Sequence, residues 1–249
     1  MTITDNLMDD ETLEDLQLQG LRLIQKKKGF RFGMDSVLLA DFAQVRATDL
    51  VADFGCGSGI LPLLMVGRNK GREYIGLEIQ EQVARMAQRT MRMNHLENKV
   101  HIFNIDVACA LDIISPCSMD AIICNPPYGM PGQVLQNQEK AIATARHQEQ
   151  DTLSVFLSSA FQVLKGKGKI FLVYPAAQMF SLMTELHNHH LEPKHFRLVY
   201  PDAFHPANIV LLEAVKGAKP RLHPMSPLLI YEPDGNMTKE MKNIYHLCE

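Results

Sequence analysis

The 249-residue chain has no tryptophan, and its five cysteines, Cys56, Cys109, Cys117, Cys124 and Cys248, include no C-x-x-C pair. That scatter excludes a zinc ribbon, a thiol-exchange motif and a disulfide framework, and predicts small buried hydrophobes in a reducing compartment. No apolar run reaches the length of a membrane span. The first residues carry Asp5, Asp9, Asp10, Glu11, Glu14 and Asp15 where a secretory signal would be basic, so a cytoplasmic location is expected. An excess of positive charge is missing too. With a net charge of −3, a polyanionic partner would be held by local basic clusters and not by the field of the whole protein. No internal repeat or low-complexity tract interrupts the chain. What is present, 46% hydrophobic and 21% charged residues, is ordinary globular composition, and at this length an α/β fold can run as one domain.

The hydrophobic pattern divides that domain in two. Leu18 to Phe32 reads as two short extended runs around Lys26-Lys27-Lys28-Gly29, a hairpin, and Asp35 stands as N-cap before the apolar helix of Ser36-Val37-Leu38-Leu39-Ala40. Residues 1–45 are therefore expected to form an N-terminal extension packed on a core of 46–249. From Leu50 onward short apolar strands alternate with longer helical stretches, the pattern of a mostly parallel sheet covered by helices on both faces. Strands are predicted at 50–54, 73–77, 100–104, 120–124, 168–174, 195–200 and 208–215, and helices near 60–68, 80–94, 152–164 and 177–189. Residues 129–150 make a long connection after the fourth strand, in the position where such folds grip substrates. The tail from Lys216, with Pro220, Pro224, Pro227 and Pro233, reads as loop plus an edge strand at Leu228–Tyr231.

Asp53-Phe54-Gly55-Cys56-Gly57-Ser58-Gly59 follows the first strand and leads into a helix, where glycines let the backbone approach a ligand and amide N–H groups at the helix start are expected to face an anionic group. The spacing is G-x-G-x-G and not the G-x-G-x-x-G of a dinucleotide site, which disfavours an oxidoreductase. Glu78 ends the next strand and Asp106 follows the third. Three carboxylates thus finish three successive strands at one edge. Glu78 and Asp106 could instead cap the helices that follow them, but the glycine loop ahead of both favours a cofactor site. The D-x-G-x-G-x-G stretch resembles that of class I S-adenosylmethionine-dependent methyltransferases, a Rossmann-like family whose seven-stranded sheet has its last strand antiparallel; the strand count agrees. On this reading Asp53 takes the methionine end of S-adenosylmethionine, Glu78 the ribose diol and Asp106 the adenine amine, with Gly55, Cys56, Gly57 and Gly59 forming the loop beneath.

Asn125-Pro126-Pro127-Tyr128 stands directly after the fourth strand. Two prolines stop the strand and hold the Asn125 amide and the Pro126 carbonyl still. Those two acceptors can bind both hydrogens of a planar amine, whose delocalised lone pair makes it a poor nucleophile, and favour its pyramidalisation. Tyr128 offers a face on which a flat base can stack. The bland alternative, a proline turn with a gap-filling aromatic, is disfavoured by the glycine loop upstream. The tetrapeptide resembles the N-P-P-Y of amino methyltransferases acting on adenine, guanine or glutamine.

Among these, release-factor glutamine methyltransferases usually carry a longer helical domain before the glycine loop, whereas only 52 residues precede Asp53 here. The chain from Glu11 onward is similar to the bacterial tRNA1(Val) adenine-N6 methyltransferase family, which modifies the adenosine beside the anticodon. The matching segments are Gly29-Phe30-Arg31-Phe32-Gly33-Met34-Asp35-Ser36-Val37-Leu38-Leu39-Ala40, the glycine loop, the N-P-P-Y, Ala145-Arg146-His147 and the tail from Pro227 through Tyr245. The resemblance implies Phe32 and Asp35 as further cofactor contacts and tRNA as partner. One departure stands at Gln148, where glutamate is expected after Arg146-His147.

Lys26, Lys27, Lys28, Arg31 and Arg146 are the candidate phosphate contacts, although a charged hairpin turn explains the three lysines equally well. Met86, Met91 and Met93 with Arg85, Arg89 and Arg92 read as a core stripe with a solvated basic face. His187-Asn188-His189-His190 lacks a supporting carboxylate or cysteine framework, so no metal site is expected. The competing function classes are a glutamine-N5 or rRNA guanine-N2 methyltransferase, a dinucleotide-dependent oxidoreductase, and a catalytically silent binding module.

Overall fold

The computed structural model describes residues 7–28, 33–126 and 152–247. A mostly apolar strand must be covered on both faces, and the central strand β3 (Leu50–Phe54), whose one polar residue is Asp53, shows how this is done. Its side chains alternate, Val51 joining one hydrophobic cluster and Ala52 and Phe54 the other. The first cluster is closed by α1 (Met34–Phe42), α2 (Ile60–Gly67) and α3 (Glu81–Met93). The second is closed by α4 (152–163) and α5 (Met179–Asn188).

Around β3 the sheet is built from β4 (Glu73–Glu78), β5 (Val100–Asn104), β6 (Met119–Cys124), β7 (Leu164–Pro175), β8 (Leu191–Tyr200) and β9 (Ile209–Lys216). Its order is β8-β9-β7-β6-β3-β4-β5. The strands from β5 to β7 are parallel, and β9 runs antiparallel to both β7 and β8. These are the seven predicted strands. Two short additions lie along β8, β10 (His223–Pro224) and β11 (Leu228–Leu229). The tail continues into α6 (Lys239–Ile244), a helix the proline-rich composition concealed; Thr238 caps it, Oγ1 accepting the Met241 N–H at 3.2 Å.

An N-terminal hairpin is present, but not the one expected: its first strand lies ahead of Leu18, and the expected second run, up to Phe32, lies outside the described residues. β1 (Glu11–Asp15) pairs with β2 (Arg22–Lys26), Glu11 opposite Lys26, and the connection is 16–21. Left-handed backbone at Gln17, Gln19 and Gly20 turns the chain there. The acidic β1 carries little apolar signal because its anchor is electrostatic: Glu11 is buried and accepts two hydrogen bonds from the Arg89 guanidinium of α3, at 2.8 and 2.5 Å. The Arg22 and Ile24 N–H groups donate to Asn94 and Thr90, fixing β2 on the same helix. A second correction concerns α1. It starts at Met34 with Gly33 as N-cap, so Asp35 lies in the first turn and is not the cap; a carboxylate there still suits the helix dipole.

Candidate active site

Parallel pairing puts the ends of β6, β3, β4 and β5 side by side. Phe54 of β3 is opposite Cys124 of β6, and Asp53 opposite Ile123. The glycine loop leaving β3 and Asn125 leaving β6 therefore start as neighbours, about 4.8 Å apart, one strand spacing. Leu77 of β4 is opposite Phe54, so Glu78 follows on the other side, and Asp106 comes two residues past β5. The structure thus brings Asp53, Gly55, Cys56, Gly57, Gly59, Glu78, Asp106 and Asn125 to one edge, with Pro126 buried behind Asn125.

Each carboxylate meets a different environment. Asp53 is completely buried, and neither of its oxygens has a hydrogen-bond partner among the described residues. Burial first, and the neighbouring Glu78 carboxylate second, push its pKa well above the ordinary carboxylate range. The flanking Cys56 and Cys124 thiols are pushed up by burial and then by Asp53, so they stay neutral. A buried carboxyl with no partner is costly unless a proton or a cationic donor meets it. The α-ammonium at the methionine end of S-adenosylmethionine is such a donor, and the residue fits it.

Glu78 is committed in a way the sequence did not indicate. Oε2 accepts the Gly57 N–H at 3.0 Å and Oε1 the Gln80 N–H at 2.9 Å, so it braces both the glycine loop and the start of α3. Asn104, not singled out from the sequence, donates to the Glu78 and Ile79 carbonyls at 2.9 Å and fixes the bend that aims the carboxylate. Asp106 caps the 3-10 helix Val107–Asp112, Oδ1 accepting the Ala108 N–H at 2.9 Å, which is the capping alternative.

Most of the loop amides are committed inside the protein. Gly55 and Cys56 N–H both donate to the Leu77 carbonyl, Gly57 to Glu78 and Gly59 to the Cys56 carbonyl. These four are not free for an anionic group, and the site is acidic in character. What the glycines provide is shape. Gly59 has φ +79° as the cap of α2, and a Cβ there would lie 2.5 Å from the Met91 methyl. At Gly57, φ +54°, a Cβ would meet nothing within 4 Å among the described residues, so none of them closes over the middle of the loop. Phe156 of α4, also missed from the sequence, supports the loop from beneath, edge-to-face with Phe54 and in contact range of Gly55.

The other candidates divide. Phe32, Arg31, Pro127, Tyr128 and Arg146 lie outside the described residues. The Lys26 ammonium is 2.7 Å from Asp10, and Lys27 donates to the Asp9 carbonyl at 2.7 Å, while Lys28 is exposed. On α3, Met86 and Met91 are buried and Arg85 pairs with Glu81, but Arg89 is spent on Glu11. His187 pairs with Glu192, and His189 contacts Ser154 at 3.0 Å. Among the described residues no group of three or more His, Cys, Asp or Glu side chains could hold a metal ion, and no helix is long and apolar enough to cross a membrane.

Comparison with known proteins bears on the family and the fold. Over 165 residues, 66% of this chain and 68% of the relative, the sequence is 28% identical to a protein of Aliivibrio salmonicida named tRNA1(Val) (adenine(37)-N6)-methyltransferase. A protein of the same name from Shewanella baltica is 28% identical over 216 residues, 86% of this chain and 89% of its own length. Among solved structures, a predicted O-methyltransferase, Atu636 from Agrobacterium tumefaciens, superposes with a TM-score of 0.68 at 19% identity, covering 86% of this chain and 96% of that one, which establishes the shared fold. The family model described as Methyltransferase small domain matches residues 31–194, from the segment before α1 into the start of β8, and the chain belongs to that family.

Proposed function

We propose that the chain transfers a methyl group from S-adenosylmethionine to the exocyclic N6 of an adenine in tRNA, the adenosine beside the anticodon. The observation that carries this reading is the juxtaposition of Asn125-Pro126 with the glycine loop and the unpartnered Asp53, set by the Phe54–Cys124 register. When bound, S-adenosylmethionine supplies an electrophilic methyl on a sulfonium. Asp53 would meet its ammonium, Glu78 its ribose and the segment at Asp106 its adenine. The Asn125 side-chain oxygen and the Pro126 carbonyl would hold the two hydrogens of the acceptor amine and leave its lone pair directed at the methyl. Tyr128 would stack on the base, worth about 1–3 kcal/mol, and offset part of the few kcal/mol needed to swing it out of the RNA. Lys28, Arg31 and Arg146, joined by Lys26 and Lys27 once released from Asp10 and Asp9, would hold phosphates.

The names of the relatives support tRNA as the substrate and hence a cytoplasmic site of action. The division into an extension, 1–45, and a catalytic unit, 46–249, is part of the same proposal. The experiment is methyl transfer from labelled S-adenosylmethionine to total tRNA, followed by nucleoside analysis. N6-methyladenosine is the expected product. Methylated glutamine in a protein or N2-methylguanosine in rRNA, with unmodified tRNA, would replace this reading.

A further inference from the structure

The sheet edge that carries Asn125 also carries the two most exposed large hydrophobic side chains of the described residues, Phe180 at 85% and Phe204 at 80%. Both β7 and β8 run with β6, so their carboxyl ends lie on the edge where Asn125 lies. Phe180 opens α5 just beyond the end of β7, and Phe204 is in the connection after β8. At about 4.8 Å per strand, β7 and β8 lie roughly 5 and 14 Å to the side of β6, and because Leu172 is opposite Cys124 and both Pro175 and Val199 are opposite Ile209, their ends reach about 10 Å further along the strand direction than that of β6.

Hydrogen bonds tie these segments into one surface. Ala176 N–H donates to the Asn208 carbonyl at 3.0 Å, and Asn208 N–H to the Val199 carbonyl at 3.1 Å. Tyr231 N–H donates to the Pro201 carbonyl at 2.9 Å and ties the Tyr231 segment to the connection that carries Phe204. The two rings line a cavity of about 280 Å³ with Asp202, Glu232, Pro233 and Gly235. Exposed rings of this size contribute nothing to the core, and clustered apolar exposure marks a contact surface.

The chemistry of the cavity selects its occupant. Asp202 is held ionised by the His205 ring and by the Phe204 N–H at 2.7 Å, but both of its oxygens are engaged within that turn, which makes Glu232 the main acceptor along the cavity wall. Two carboxylates repel phosphate, so an RNA strand would present a base here and keep its backbone outward. A carboxylate accepts well from an exocyclic amine, as it does from cytosine. Resting on the function proposed above, we infer that Phe180, Phe204 and Tyr231 form a stacking platform for the unpaired bases flanking the acceptor adenine, with the Phe204–Tyr231 cavity taking an amine-bearing base.

The test uses the full chain and an anticodon stem-loop RNA with 2-aminopurine placed in turn at the loop positions beside the acceptor. Phe204→Ala and Phe180→Ala, both at exposed positions, should leave the melting temperature, S-adenosylmethionine affinity and kcat unchanged. The KM for the stem-loop should rise about 5- to 100-fold, the range lost with one stacked base, the quenching of flanking 2-aminopurine should disappear, and Phe204→Trp should restore both. Equal KM and quenching in wild type and variants, with methyl transfer intact, overturn the platform and leave the proposed function standing. A wild-type chain that neither quenches the probe nor methylates any tRNA overturns both. Binding of an arginine-rich peptide that needs Phe204 and Glu232, without quenching of the RNA probe, overturns the platform and gives the cavity to a basic protein partner.

Discussion

Glu78 Oε2 accepts the Gly57 N–H at 3.0 Å, so the carboxylate ending β4 also sets the shape of the loop that follows β3. Its other oxygen takes the Gln80 N–H. Binding and folding are thereby coupled at one side chain. Glu78→Ala is expected to weaken S-adenosylmethionine binding by about 1–3 kcal/mol, the scale for a charged hydrogen-bond partner, and to lower the melting temperature of the ligand-free protein. Glu78→Gln keeps an acceptor for one amide and should lose less of both. Calorimetry and thermal melts read the two effects separately; a lower melting temperature with unaltered affinity would restrict Glu78 to bracing the loop.

Asn125 leaves β6 one strand away from the glycine loop. Asn125→Ala should bind S-adenosylmethionine as wild type does and lose on the order of 10²–10³-fold in turnover, the cost of removing one preorganised polar group aimed at the reacting centre. Single-turnover transfer to tRNA with a parallel binding titration checks it. An active variant would remove the role assigned to the amide.

The parts of this arrangement that rest on pattern were legible in the sequence. Apolar strands alternating with amphipathic helices identified the seven strands within a few residues, and the glycine spacing and Asn125-Pro126 pointed to the edge where Asp53, Glu78 and Asp106 gather. The parts that rest on individual partners were not. Glu11 reads as one more acid in a polar opening because the arginine that buries it is 78 residues away. α6 hides in a proline-rich tail because six residues are too few to show a period. The inward commitment of the loop amides depends on Leu77 and Glu78 from the next strand, and no local motif encodes which carbonyl or carboxylate they will meet.

The Glu11–Arg89 pair gives the N-terminal hairpin its attachment to α3. Burial acts to raise the Glu11 pKa, but the Arg89 and Met8 hydrogen bonds outweigh it and hold the carboxyl below its ordinary 4.5. A lowered folded-state value means that the stabilisation is complete above pH 4.5 and is lost as pH falls through the folded value. Glu11→Gln should cost on the order of 2–3 kcal/mol near neutral pH, because it leaves Arg89 without its counter-charge. The cost should shrink in acid, where wild type loses the same contact. Denaturant titrations at several pH values measure it, and hydrogen exchange should localise the loss to β1 and β2. A pH-independent difference would mean that the pair is not ionic.

Asp53 inverts that sign. Its folded-state pKa is raised, by burial and then by Glu78, so the protonated form is the one the ligand-free fold accommodates. Its contribution to stability is fully present below the ordinary value of 3.8 and is lost as pH rises through the higher folded value. Asp53→Asn has similar shape and no charge to strand. Without cofactor, the variant should gain stability relative to wild type as pH climbs from about 4, and the gain should level off once the wild-type carboxyl has ionised. With saturating S-adenosylmethionine the order should reverse, because only the carboxylate can compensate the cofactor's ammonium in that buried position. Melting curves of both proteins, with and without S-adenosylmethionine across pH 4 to 9, contain the whole test. A wild type that stays the more stable at every pH without ligand would show that Asp53 has found a partner in solution and that its burial is already compensated.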